Sequence, residues 1–438
     1  MSTEEEPASF RDDTRLALTS TAADKGPLHL MIGLFFVWGF LTCLNDVMLA
    51  DLKVIFSLSY ENAVAVPMTF FGACFLFARV SAHIVQRLGY KRTMVCALLT
   101  MGVGALCFVP ATILQQFWLF PCAVGVLAAG VTALQVAAAP YVSFLGAPAQ
   151  APSRFSLALA FNSLGTMAAP LFGSWVLLRH HVIERTSSGL AHGTVFADRN
   201  HSLRQIQTSY LGISVVLGLV AWGLAVSRLP LLAVPSVQQP EEGEHVLRHR
   251  PLRFGAITIF LYAGAEIGIG SFLINYLCLP NIGGMQPRTA ALFVSLYWGG
   301  ATLGRFLGWR VLRHYRVETV LTLCGAGGAS LLLVSVLTHG IVAVVAVLAI
   351  GLCNAMIVPV VVMIAIAGLG ARTARASSVI VAANIGAAVV PLAIGLAADR
   401  FGLHRAYLLP VISYAFVVFY AVNGSRGHLS NPIRAIRQ

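Results

Sequence analysis

Charge is what this chain has least of: Asp, Glu, Lys and Arg make up 11% of its 438 residues, against 58% hydrophobic residues. A soluble domain needs a charged surface around its core, so this balance excludes one and implies a polytopic membrane protein. The formal net charge of +12 does not make a nucleic-acid surface, because the basic residues are scattered at the ends of apolar runs rather than gathered on one polar face. Cysteine chemistry is absent too. Cys43, Cys74, Cys96, Cys107, Cys122, Cys278, Cys324 and Cys353 all lie in or beside apolar runs without CxxC or Cys/His spacing, and read as packing residues. There is no nucleophile paired with a base, no phosphate loop and no metal constellation, which argues against an enzyme, a resident cofactor or an ATP-driven machine. The first residues lack a basic segment followed by a cleavable apolar stretch, so 1–27 is expected to remain as a polar cytoplasmic tail.

What the chain has instead is long apolar runs. Segments of about 20 residues suit a helix crossing a hydrocarbon core roughly 30 Å thick. Twelve are expected, at 28–50, 62–84, 93–113, 117–145, 154–178, 208–228, 254–278, 288–312, 317–337, 340–368, 374–398 and 404–424. The fold class is therefore an all-α membrane protein of two pseudo-symmetric six-helix bundles, 28–228 and 254–424. The Pro- and Gln-containing stretch 229–253 serves as linker, and 425–438 as a second tail. Arg87, Lys91, Arg92, Arg154, Arg248, Arg250, Arg253, Arg310, Arg313, Arg316, Arg372 and Arg375 fall on the N-terminal side; Lys53, Arg288, Arg400 and Arg405 fall opposite. Both termini are thus expected to be cytoplasmic. The outer stretch 179–207 carries His180, His181, His192 and His201, which read as solvated surface rather than a metal site.

Inside these runs a few polar residues recur in the same order in both halves, as in a duplicated chain. Asp46 in the first run corresponds to Glu266 in the seventh, and Arg79 before Tyr90-Lys91-Arg92 to Arg305 before Tyr315-Arg316. Gln135 precedes Pro140 by five residues as Asn354 precedes Pro359; Asn162, Gly165 and Pro170 match Asn384, Gly386 and Pro391. A buried acid costs about 2.5–3.5 kcal/mol on insertion scales and persists mainly where it faces a cavity, a partner or an ion. Asp46 is therefore a candidate coupling site, with a structural acid bonded to another span as the plain alternative. Helical spacing puts Trp38, Thr42, Asn45 and Asp46 on one stripe. Gly264, Gly268 and Gly270 suggest that the seventh run unwinds around Glu266. Tyr297 and Trp298, with Arg305 on the face of Trp298, add aromatic surface beside amides and acids, an arrangement suited to a sugar. Packing, interhelical hydrogen bonds and interfacial anchoring are the competing readings for these aromatics and amides.

The loop RLGYKR resembles the major facilitator superfamily. The segments WGFLTCLND, LQVAAAPYVSFLG, FNSLGTMAAPLFG, YAGAEIGIGSFLINYL and LYWGGATLGRFLG look like its fucose/galactose/glucose:proton symporter family, across about residues 28–424. The resemblance implies proton-coupled uptake of a monosaccharide across the bacterial inner membrane, by a protein expected to be monomeric. Asp46 and Glu266 would couple protons. Trp38, Asn45, Gln135, Asn162, Glu266, Asn275, Tyr297, Trp298, Asn354 and Asn384 would meet the sugar. Arg79, Gly89, Lys91, Arg92, Pro140, Arg305 and Pro359 would shape or gate the path. Gln135 and Glu266 place the chain nearer the glucose/galactose branch. Ala139, Leu159 and the segment NAMIVPVVV stand where the family usually has polar groups, which points to a less hydroxylated substrate; Gln86 stands where the loop usually has Asp. A sodium-coupled carrier or exporter of a less polar solute, and a non-transporting receptor, are the other classes left open.

Overall fold

A computed structural model describes residues 26–56, 60–176, 192–227, 229 and 246–424. The histidines at 180 and 181, most of the 229–253 linker and both tails lie outside the described residues, as do the side chains of Asn45, Asp46, Pro170, His192 and His201. Among the described residues the chain is all-helical, in the order α1 (Gly26–Ile55), α2 (Tyr60–Leu106), α3 (Phe108–Leu114), α4 (Leu119–Phe144), α5 (Ala151–Val176), α6 (His192–Val226), α7 (Arg250–Cys278), α8 (Pro287–His314), α9 (Val317–Leu337), α10 (Gly340–Asn354), α11 (Ile357–Ile366), α12 (Thr373–Ala383), α13 (Gly386–Phe401), α14 (Leu403–Ala406) and α15 (Leu409–Phe419). Nine stretches among these residues are long and apolar enough to cross a membrane. One of them, Met68–Leu114, is divided at Gly89, whose φ of 77° lies in the left-handed region open to glycine. α5 and α8 fall outside the nine.

The breaks and continuities have local causes. Proline has no N–H and crowds the carbonyl four residues earlier, which for Pro359 is that of Ala355; α10 ends at Asn354 and α11 resumes at Ile357. A second break separates α12 from α13 at Asn384-Ile385, bridged by tight bonds such as Ala387 N–H to the Asn384 carbonyl, 2.9 Å. Pro140, by contrast, is carried inside a continuous α4. The expected unwinding of the seventh run is corrected: α7 runs unbroken through Gly264, Gly268 and Gly270. Its glycines provide close approach instead. A Cβ on Gly264 would lie 2.3 Å from that of Val390, and one on Gly268 2.5 Å from Ile394 Cδ1, so α7 and α13 pack almost backbone to backbone.

The repeat read in the sequence reappears as packing. In the first half α1 crosses α5 where a Cβ on Gly39 would lie 2.0 Å from the Asn162 carbonyl oxygen and one on Gly165 2.2 Å from that of Phe36. In the second, α7 crosses α13 where a Cβ on Gly386 would lie 1.9 Å from the Phe260 carbonyl oxygen. Small residues permit this approach where lipid supplies no hydrophobic drive between helices. Between the halves, α5 packs on α8 and α11, while α12 packs on α2 and α4. The α5–α8 seam is hydrogen-bonded where α5 begins and α8 ends: Ser153 Oγ donates to the Trp309 carbonyl at 2.6 Å, and Ser156 Oγ to that of Arg305 at 2.8 Å.

Candidate functional site

A group of buried polar side chains collects where α7, α8, α10 and α15 meet, with α5 of the other half beside it. Asn354, at the end of α10, is fully buried and committed to tyrosines: its Nδ2 donates to Tyr297 Oη at 2.8 Å, and Tyr414 Oη donates to its Oδ1 at 2.6 Å. Tyr262 Oη donates to the Asn354 carbonyl at 3.0 Å, which the helix break leaves available. Tyr297 Oη in turn reaches the Glu266 carbonyl at 3.3 Å. Buried polar groups without such partners would be costly, so this network fixes four helices, α7, α8, α10 and α15, against one another. Asn354 and Tyr297, expected at a sugar, are thus occupied with each other here. Tyr414 escaped the sequence reading because nothing in VISYAF marks it as polar-bonded until α10 is folded beside α15.

Glu266 lies one turn beyond Tyr262 on the same face of α7 and is only 8% exposed. Arg305, expected among gating residues, is its neighbour: Arg305 Nη2 stands 3.9 Å from Glu266 Oε1. That separation is an ionic contact and too long for a hydrogen bond. Arg305 Nη1 donates across the seam to Ser163 Oγ on α5, so one guanidinium touches both halves. Glu266 Oε1 and Arg305 Nε are both buried without a hydrogen-bond partner among the described residues. Trp298, two turns before Arg305 on α8, lies over Gly270, one turn after Glu266; a Cβ there would meet its ring at 2.8 Å. Phe161 and Phe306 meet edge to face across the same seam, with ring centroids 5.8 Å apart.

The remaining expected residues are spread more widely. Asn162 gives its Nδ2 to the Phe35 carbonyl at 3.0 Å and ties α5 to α1, next to Trp38, which packs at a tilt on Phe35. Gln135 is half-buried on α4, and Asn384 half-buried at the α12–α13 break. Asn275 is exposed; nine residues after Glu266, it lies about 13 Å along α7 and on the opposite face. Ala139 and Leu159, where the resemblance leads one to expect polar groups, are buried among apolar neighbours. Lys91 donates to the carbonyls of Ala225 and Ser227 at 2.9 and 2.7 Å, capping the C-terminus of α6, while Arg79 and Arg92 are exposed. A separate cavity of about 560 Å³ between α1 and α6 is walled by Phe36, Phe40, Ile213 and Val216, and of its lining only Thr208 and Ser209 are polar. It offers too few partners for a polyhydroxylated ligand.

Apolar helices in two similar halves, with a buried acid–arginine pair at the contact between them, define a multi-pass membrane protein of the transporter class. The family model for the Major Facilitator Superfamily matches residues 30–391, and the chain belongs to that superfamily. It is 39% identical to a Brucella abortus glucose/galactose transporter over 90% of this chain and 92% of that protein. It is 31% identical to a putative glucose/galactose transporter of Helicobacter pylori, covering 91% of this chain and 96% of that one. The Escherichia coli L-fucose-proton symporter is 27% identical, over 90% and 92% of the two chains. These relatives place the chain in the fucose/galactose/glucose symporter family, nearer its glucose/galactose members. Among solved structures, the transporter FucP in its outward conformation superimposes with a TM-score of 0.83 at 26% identity, over 92% of this chain and 99% of that one. The proton:xylose symporter XylE shares the fold, with a TM-score of 0.64 at 13% identity.

Proposed function

We propose that this protein takes up a monosaccharide of the glucose/galactose/fucose type together with a proton, by alternating access between two six-helix halves of twelve spans in all. The observation that carries the reading is Arg305, which joins Glu266 in one half to Ser163 in the other. A ligand that engages this pair acts directly on the contact that must open and close. The names of the relatives supply the substrate class and the proton. Both termini lie in the cytoplasm and the protein sits in the bacterial inner membrane. With this topology the Ser153–Trp309 and Ser156–Arg305 bonds lie on the cytoplasmic side and close the molecule to the inside.

Asp46 is the proton carrier, loaded from outside and emptied inside; the membrane potential contributes about 2.3 kcal/mol per charge per 100 mV to the cycle. Glu266, Asn162, Trp38 and Trp298 contribute to the sugar site, with Gln135 and Asn384 facing the same path. The apolar burial of Ala139 and Leu159 favours a sugar with fewer hydroxyls over glucose itself. In liposomes carrying an internal pH indicator, adding glucose, galactose or fucose outside is expected to acidify the lumen, and Asp46→Asn to abolish that signal. Folded wild-type protein that moves no protons with any of the three would overturn the reading and turn attention to sodium.

A further inference from the structure

Glu266 Oε1 can only accept hydrogen bonds when ionised, and Arg305 Nε can only donate. Both are buried, both lack a hydrogen-bond partner among the described residues, and they belong to side chains that approach to 3.9 Å without closing. Arg305 is not free to swing further toward the carboxylate, because Ser163 holds its Nη1 from the other half. A gap held open between an acceptor and a donor suits a group that both donates and accepts. A hydroxyl is the smallest organic group of that kind. Two bonds of about 2.8 Å to one oxygen span up to about 5.6 Å, so a hydroxyl on Glu266 Oε1 is within reach of the Arg305 guanidinium, whose Nη2 stands 3.9 Å from that oxygen.

We infer that Glu266 and Arg305 together clamp a single hydroxyl of the transported sugar, which donates to Glu266 Oε1 and accepts from Arg305 Nε. This makes Arg305 a substrate-binding residue, and it rests on the sugar-transport reading above. The clamp lies one turn from Gly270, over which the Trp298 indole is spread, so the same sugar meets an aromatic face beside its held hydroxyl. Because the guanidinium also bonds Ser163, filling the clamp alters the α5–α8 contact. A water molecule meets the same two demands, so a sugar must reproduce both bonds to displace it.

The test is equilibrium binding to purified protein, using D-glucose, D-galactose and each monodeoxy and monofluoro-deoxy analogue of the tighter of the two. Wild type is expected to lose at least tenfold in affinity for the analogue lacking one particular hydroxyl. Fluorine accepts weakly and cannot donate, so it should not restore the loss. In Glu266→Gln and Arg305→Lys, each verified as folded by size-exclusion chromatography, the penalty at that position should shrink to about threefold or less, while penalties at other positions persist. Equal penalties in wild type and variants at every hydroxyl would overturn the clamp and leave sugar transport standing. Should either variant fail to fold, Ser163→Ala, which frees Arg305 without removing it, is expected to reduce the same penalty selectively, and an unchanged profile there overturns the clamp as well. Absence of binding of both sugars and of L-fucose to folded wild type would sink the sugar reading itself and the clamp with it.

Discussion

Asn354 illustrates how much one side chain can hold when a helix break presents it. Its amide and its carbonyl together take three tyrosine contacts from α7, α8 and α15, all in the dry interior. Replacing it with alanine takes away the acceptor of the Tyr414 hydroxyl and the donor to the Tyr297 hydroxyl, which keeps its bond to the Glu266 carbonyl, and a buried polar group left unpaired costs about 1–3 kcal/mol. Asn354→Ala is therefore expected to lower the apparent melting temperature in detergent by several degrees, while Asn384→Ala, half-buried at its own break, lowers it far less. Equal melting of the two variants would mean that the tyrosine network relaxes onto other partners. The sequence marked Asn354 as an amide one turn before a proline, but only folding revealed that its partners lie 57 and 60 positions away.

At the scale of helices, the paired crossings α1–α5 and α7–α13 depend on glycines with no room for a methyl group. Gly165 and Gly386 face carbonyl oxygens of Phe36 and Phe260, and a carbonyl cannot be moved without moving its helix. Gly165→Ala and Gly386→Ala should each destabilise the protein by more than about 2 kcal/mol, as overpacking against backbone does. Gly33→Ala, on the same α1 but with nothing within 4 Å of the new Cβ, is the control and should melt near wild type or slightly above it. Thermal scans of the three variants in one detergent decide the matter; similar melting throughout would show that the crossings have slack. The glycines of α7 were read from the sequence as signs of unwinding. Glycine loosens a helix and also lets one approach another, and spacing alone does not distinguish the two; Val390 and Ile394 on α13 do.

For the whole molecule, the seam between α5 and α8 is the contact that alternating access must break. A Cβ on Gly308 would lie 2.9 Å from Ser156 Oγ. This is close to the separation between a Cβ and the far sulfur of a disulfide, roughly 3 Å. In a background with the eight native cysteines replaced, the double variant Ser156→Cys with Gly308→Cys is expected to cross-link on mild oxidation. Transport should then stop and return with reductant, while sugar binding from outside survives. Cross-linked protein that still transports at the wild-type rate would show that this seam stays closed throughout the cycle.

The sequence by itself determined the environment, the helices and the candidate polar residues. These follow from local properties: run length against bilayer thickness, scarcity of charge, proline and glycine positions, and acids too costly to bury without purpose. It also carried the duplication, since each half repeats its own order of amides and prolines. Tertiary structure alone decided who meets whom. Glu266 and Arg305 lie 39 positions apart and Ser163 in the other half, and nothing in their spacing shows that α7, α8 and α5 bring them to one point. Periodicity fixes the face of a helix on which a side chain lies, but the neighbour across that face is set by packing between helices, and the chemistry of this site belongs to those pairs.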